Sequence, residues 1–386
     1  MHKPDYTGGG LINLVASIES ALGKTPKYQP LRHLDLSGLK GSRNIVLMIM
    51  DGLGYDFVMG YGKGTVLHEH LKGKMTSVFP SSTSAAIPTI FTGLSPQEHG
   101  MTGWFMYLRE FDCQVIPLPY VLRSDKTRSL EKLKAIQEMF NIKPLADRLA
   151  IEPYVLQWSK ILNSGFSVVS SGKSERIGYK SLRGYFEAIK RVIGSHKRRK
   201  FICAYYPRHD SLCHRYGSTS KKVLDHFREL AQRLSSFLDS LEGTNTIVII
   251  TADHGMIDVY PSTRIDMEDH PKLKRMLAQP LCGEHRFAYA YIKPSKEKDF
   301  ERYVRTKLTQ CCEIFRSDDL LKKGYFGRFN IHKEMRNRIG DYVLIMKDHY
   351  GIYDRLAHEK KNDYILGDHG GLSKEELYVP LIVVKR

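Results

Sequence analysis

The sequence predicts an α/β fold in which a mostly parallel central sheet is flanked by helices, and three observations carry that reading. Four short apolar segments, 44–50, 201–205, 246–251 and 381–384, are rich in β-branched or aliphatic residues and have the length of buried strands. Helical patterns such as Lys221 to Leu241 lie between them, as crossovers between parallel strands require. The chain has 386 residues, 42% of them apolar, which is ample for a sizeable core.

Taken in order, the first element is an amphipathic helix. Leu11, Leu14, Val15, Ile18 and Leu22 recur at helical spacing, and the pattern ends near Gly23. The strand at 44–50 then runs into Asp51, the one at 201–205 leads through Tyr206 to Asp210, and the one at 246–251 leads to Asp253 and His254. Ligands of open parallel sheets bind beyond the carboxyl ends of the strands, so these polar groups are expected to converge on one rim. Between 261 and 340 the pattern changes to a short strand at 287–292, a helix at 296–308 and basic loops. We read this segment as a small inserted cap subdomain within one catalytic domain that spans 1–386. The chain shows no internal repeat, low-complexity tract or flexible linker.

The formal net charge is +17, so the surface attracts anions, and phosphate-bearing partners are favoured. The excess sits in local runs such as His196 to Lys200 and the stretch from Lys322 to Arg338, which read either as solvated surface or as a functional patch. Zinc-finger spacing and aromatic RNA-binding signatures are missing, which weighs against a nucleic-acid reader. The six cysteines form no CxxC pair, and the first residues do not resemble a secretion signal, so a cytoplasmic location is expected. The apolar runs at 45–50 and 247–250 fall far short of the roughly 20 residues that span a bilayer.

The chemistry concentrates in a few places. Asp253-His254-Gly255 follows an apolar strand, Asp210 precedes His214 by one helical turn, and Gly367-Asp368-His369-Gly370-Gly371 lies near the C-terminus. Carboxylate oxygen and imidazole nitrogen are the donors that zinc and similar divalent ions take in catalytic sites. On a helix, the i, i+4 spacing places Asp210 and His214 on one face. Alone, each has a plainer reading: Asp51 before Gly52 as a turn or cap, and Asp210 with His214 as surface residues. The run Phe79-Pro80-Ser81-Ser82-Thr83-Ser84-Ala85-Ala86 offers hydroxyls at the start of a helix, where amide groups and the helix dipole favour a phosphate. Its plainer reading is an N-cap. Gly62-Lys63-Gly64 and Gly23-Lys24-Thr25 lack the complete phosphate-loop pattern, and no Gly-x-Ser-x-Gly elbow occurs.

In order along the chain stand Ile-Met-Asp-Gly, Phe-Pro-Ser-Ser-Thr, Thr-Gly-Leu-Ser-Pro-Gln-Glu-His-Gly, Asp-x-x-x-His, Ala-Asp-His-Gly-Met and Gly-Asp-His-Gly-Gly-Leu-Ser. From about Asn44 to the end, the sequence resembles the alkaline phosphatase superfamily, in its branch of type I phosphodiesterases and nucleotide pyrophosphatases. The resemblance implies an alkaline-phosphatase-like fold and two divalent metal ions. One would be held by Asp51, Thr83, Asp253 and His254, the other by Asp210, His214 and His369. Zinc suits these ligands best, with manganese, iron or magnesium as replacements. It further implies that Thr83 is the catalytic nucleophile and that a small anionic phosphate ester is the substrate. The expected reaction is cleavage of a phosphodiester or pyrophosphate bond through a phosphothreonine intermediate. Alternatives are a phosphomonoesterase, phosphonate hydrolase or phosphomutase on the same site, and, outside enzymes, an anion or nucleic-acid binder with a degenerate site.

Overall fold

In the computed structural model, which describes residues 1–130, 136–359 and 364–386, seven strands form the central sheet. In chain order they are β1 (Asn44–Met50), β2 (Leu71–Thr76), β3 (Glu152–Trp158), β4 (Glu175–Tyr179), β5 (Lys200–Tyr206), β6 (Thr246–Thr251) and β7 (Tyr378–Lys385). Across the sheet the order is β2-β7-β6-β1-β5-β3-β4. The five strands from β6 to β4 are parallel, whereas β7 runs antiparallel to both β6 and β2. The apolar segment at 381–384 is thus a strand of the sheet, but it enters in the opposite direction.

All residues of β1, β5 and β6 are buried, which explains their unbroken apolar runs. Register then dictates what happens at the rim. Ile49 pairs with Thr251 and Met50 with Tyr206, so Asp51 comes level with Asp253 one strand away, roughly 5 Å apart. Gly52 follows with φ +73, and a Cβ there would stand 3.1 Å from Asp210 Cβ. A side chain at Gly255 would collide with the Glu375 carbonyl. Both glycines let the chain turn tightly behind an acid that must stay at the rim.

Five helices position the site or cover the sheet: α1 (Leu11–Ala21), α2 (Thr83–Thr92), α3 (Leu182–Gly194), α4 (Arg208–Tyr216) and α5 (Lys221–Asp239). α1 packs beside α2, and α3 and α5 cover the sheet with apolar faces that include Tyr185, Ile189, Phe227 and Leu234. Beyond the central sheet, Cys282–Gly283, Phe287–Ala290, Cys312–Arg316 and Tyr342–Met346 build an antiparallel four-stranded sheet. It has an apolar cluster of its own around Phe300, Leu344 and Ala290. Among the described residues, no helix is long and apolar enough to cross a membrane.

Candidate metal centre and nucleophile

Asp51 follows β1 and is 2% exposed, while Asp253 and His254 follow β6 at 0%. The Asp51 amide donates to the Tyr206 carbonyl, which ties the turn to β5, and the Tyr205 hydroxyl donates to Asp51 Oδ2. Asp253 Oδ1 accepts from the amides of Gly52 (3.2 Å) and His254 (3.1 Å). The opposite oxygen of each acid is left over: Asp51 Oδ1 and Asp253 Oδ2 are buried without a hydrogen-bond partner, and so is Asp210 Oδ1. Orphaned buried carboxylate oxygens are costly unless something positive meets them. No lysine or arginine pairs with these three acids among the described residues. His254 Nε2 stands 3.3 Å from Asp51 Oδ1 and 3.5 Å from Asp253 Oδ2.

The other half is carried by α4 and by the C-terminal loop. α4 places Asp210 and His214 one turn apart, with His214 Nε2 3.1 Å from Asp210 Oδ1 but without the alignment of a hydrogen bond. His369 Nε2 lies 3.8 Å from the same oxygen, and the His254 and His369 rings stack with centroids 3.7 Å apart. Two sets of donors are therefore close enough to share an ion: Asp51, Asp253 and His254, and Asp210, His254 and His369. His254 belongs to both. His214 lies just outside the second set and faces it through Asp210.

Thr83 is the first residue of α2, and its Oγ1 lies 3.0 Å from His254 Nε2. From Met75 to Thr92 every residue is buried except Thr83, which is half-buried. The neighbouring hydroxyls are engaged elsewhere. Ser81 donates to the Gly371 carbonyl, and Ser82 is the N-cap, accepting from the Ser84 amide. The cap and the half-buried hydroxyl are thus adjacent residues, so the capping role and the site-facing role fall to different side chains.

Above the site opens a cavity of about 1420 Å³. Asp51, Thr83, Asp210 and His369 form its floor, and Trp104, Phe105, Leu118, Trp158, Ile161 and Phe166 form much of the wall. Among the described residues that line it, Lys160 and Arg208 supply the lysine and arginine charge.

The family model for type I phosphodiesterase / nucleotide pyrophosphatase matches residues 46–372. The chain belongs to that family. It is accordingly a phosphodiesterase/nucleotide pyrophosphatase-like hydrolase of the alkaline phosphatase superfamily, and the family is metal-dependent. Among solved structures, murine ectonucleotide pyrophosphatase/phosphodiesterase 5 is similar, with 16% identity, 87% of each chain covered and a TM-score of 0.65. An inactive threonine-to-alanine variant of it in complex with AMP gives 0.64 at the same identity and coverage. The human protein gives 0.61, again with 16% identity and 87% of each chain covered. These likenesses establish the alkaline-phosphatase-like fold. A search of curated proteins returns no match.

The electrostatics follow from crowding acids and imidazoles into one buried place. Burial pushes the Asp51 carboxyl well above the usual carboxylate range, and the charges of Asp253 and Asp210 push it further. Burial depresses the His254 imidazole. Burial works against charge on His369 too, yet Glu284 beside it and then Asp210 raise it to about 10. Asp210 shows the converse: burial opposes its charge, but His214 and His369 hold its carboxyl below the usual range.

Four neighbours escape sequence reasoning: Tyr205, Glu284 and the pair His285–Asp368. Tyr205 sits inside a strand run and reads as core. Glu284 and His285 occupy a short turn of the second sheet, where an acidic and an imidazole group read as surface. Asp368 lies inside a recognised motif, and its Oδ2 stands 3.0 Å from His285 Nδ1.

Proposed function

We propose that this hydrolase cleaves phosphodiester or pyrophosphate bonds with Thr83 as nucleophile, passing through a phosphothreonine. The observation that carries the reading is the Thr83 hydroxyl, half-buried at a helix N-terminus and 3.0 Å from an imidazole that borders three carboxylates, each with one orphaned oxygen. Asp51, Asp253, His254 and the Thr83 oxygen would hold one divalent ion, and Asp210, His214 and His369 a second; zinc fits these donors best. When bound, the ions lower the pKa of the hydroxyl and offset charge on phosphate oxygens. The chain supplies the rest. Thr83 Oγ1 gives its proton to solvent and attacks phosphorus in line, and the P–O bond to the leaving group breaks with its electron pair on the leaving oxygen, which takes up a proton from solvent. Water then attacks phosphorus, breaking the Thr83–phosphate bond and returning a proton to Oγ1. The positive end of α2 faces the phosphate throughout.

The wall of the cavity favours a diester over a monoester. Charge takes up little of that wall, where Lys160 and Arg208 are the lysine and arginine among the described lining residues. Aromatic and aliphatic side chains instead suit a second organic substituent. We further propose that segment 261–340 acts as the cap of the site, supported by Glu284 and His285 on the cavity wall.

Replacing Thr83 by Ala tests the reading. Turnover of bis(p-nitrophenyl) phosphate should fall by roughly a thousandfold or more while metal content, read by elemental analysis, is kept. Undiminished turnover would remove Thr83 from the mechanism. A preference for p-nitrophenyl phosphate over the diester would move the enzyme to the monoesterase reading.

A further inference from the structure

We propose that Glu284 is a positioning residue that locks a metal-ligand histidine and the cap of the nucleophile helix to one carboxylate. The proposal rests on the metal reading of the site given above.

All three imidazoles of the site are held from behind. His214 Nδ1 stands 2.7 Å from the Gly367 carbonyl, and His254 Nδ1 stands 2.9 Å from the Gly255 carbonyl. His369 Nδ1 stands 3.2 Å from Glu284 Oε2, an ion-pair contact without the alignment of a hydrogen bond. For His214 and His254 a backbone carbonyl holds the Nδ1 proton and leaves Nε2 for the site, and the Glu284 carboxylate beside His369 Nδ1 would do the same with an ion on Nε2, which is how outer groups fix the tautomer and aim of a metal-bound histidine. The first two anchors are backbone groups that come with the fold. The third is a side chain from a different sheet.

The other oxygen of Glu284 is used just as specifically. Glu284 Oε1 accepts the Ser82 hydroxyl proton, and Ser82 Oγ accepts from the Ser84 amide while lying 2.9 Å from Ser84 Oγ. Every proton of the cap is thereby placed, and Thr83 is the next residue. One carboxylate spans the two halves of the site: His369 on the side of Asp210, and the start of α2 on the side of Asp51.

A hairpin residue of no consequence would not look like this. The Glu284 side chain is 7% exposed, and among the described residues no lysine or arginine pairs with it. A buried carboxylate without such a partner is expensive to keep. Its turn is also clamped, by its own amide to the Phe287 carbonyl (2.9 Å) and by the neighbouring His285 Nδ1 to Asp368 Oδ2 (3.0 Å). Residues 284–285 and 368–369 thus face each other as two acid–imidazole rungs.

The test uses the full chain with Glu284→Ala, Glu284→Gln and Ser82→Ala, each followed by zinc retention in a chelator titration and by kcat and KM on bis(p-nitrophenyl) phosphate. Glu284→Ala should weaken one of two bound ions roughly 10- to 100-fold and lower kcat with little change in KM. Glu284→Gln has one acceptor for two donors, so it should fall between Ala and wild type. It also keeps the question answerable should the alanine variant fail to fold. Ser82→Ala should lower kcat and leave both ions in place. Wild-type retention of both ions and unchanged kcat in Glu284→Gln or Glu284→Ala would overturn the proposal, as would equal loss of both ions with a matching fall in melting temperature. A wild-type chain that binds no metal at all would instead defeat the metal reading on which it stands.

Discussion

The two halves of the site are made from the same donor types but by different means. Asp51, Asp253 and His254 hang from the ends of neighbouring parallel strands and are 2%, 0% and 0% exposed. Their spacing follows from strand register, so nothing beyond the sheet is needed to set it. Asp210, His214 and His369 come from a helix and a C-terminal loop, with side chains 13%, 25% and 8% exposed. This half depends on partners far along the chain, Gly367 and Glu284 among them. A register-built half is rigid and dry; an assembled half is adjustable and wetter.

That contrast fixes the order of the expected effects. His254, which borders both donor sets, should be irreplaceable. His254→Ala should cost roughly a thousandfold in kcat/KM, and excess zinc should restore nothing. His214→Ala, in the wetter half, should cost roughly 10- to 100-fold and regain part of that with added zinc. Equal losses with equal rescue would erase the distinction between the halves.

Chelation should come next. Stripping the ions leaves buried carboxylates facing one another, so the melting temperature should drop by several degrees in calorimetry and recover on reloading. In the stripped protein, Asp51→Asn should then raise the melting temperature by roughly 2 °C or more at pH 7. The sign follows from linkage: a folded-state carboxyl pKa above the unfolded value destabilises the fold at every pH above that unfolded value. The gain should fade as pH falls toward 4, where the carboxyl of the unfolded chain takes up its proton as well. Asparagine still accepts from the Tyr205 hydroxyl, so packing is kept.

A separate effect concerns the support of the nucleophile helix. In the segment after α2, Glu98 closes a capping box on Ser95 and accepts from Tyr28 Oη at 2.6 Å, and the buried His99 accepts from the Met101 amide at 3.1 Å. Burial holds the His99 imidazole down to about 3 from its ordinary 6.5. The unfolded chain therefore binds the extra proton in that window, and stability declines as pH falls from about 6.5 toward 3. His99→Gln should flatten this decline by up to about 1.4 kcal/mol per pH unit in urea titrations. An unchanged slope would place the acid sensitivity elsewhere.

The same contrast explains what sequence reasoning can reach. β1, β5 and β6 are buried on both faces, so their apolar runs stand out and the acids behind them are conspicuous. The helices Lys221–Asp239 and Arg208–Tyr216 likewise follow from spacing and from the Asp210–His214 turn. β2 and β4 are illegible because they are edge strands whose lysine, arginine and glutamate residues break the pattern. β3 carries Glu152 and Pro153 at its start, and that opening hides it. The direction of β7 is invisible, since a buried strand has the same composition either way. Thr83 among four hydroxyls is reachable through resemblance, while the physical reason, its exposure amid buried neighbours, needs the fold. Glu284 leaves no local signal, because its meaning comes from lying against His369 and Ser82 at once.

The most direct test of the central claim is to quench the enzyme in acid during turnover of a diester and map the phosphorylated residue within Phe79 to Ala86 by mass spectrometry. Phosphate is expected on Thr83 in the wild type and on no residue in Thr83→Ala. Phosphate on Ser81, Ser82 or Ser84, or turnover without any phosphorylated residue, would contradict it.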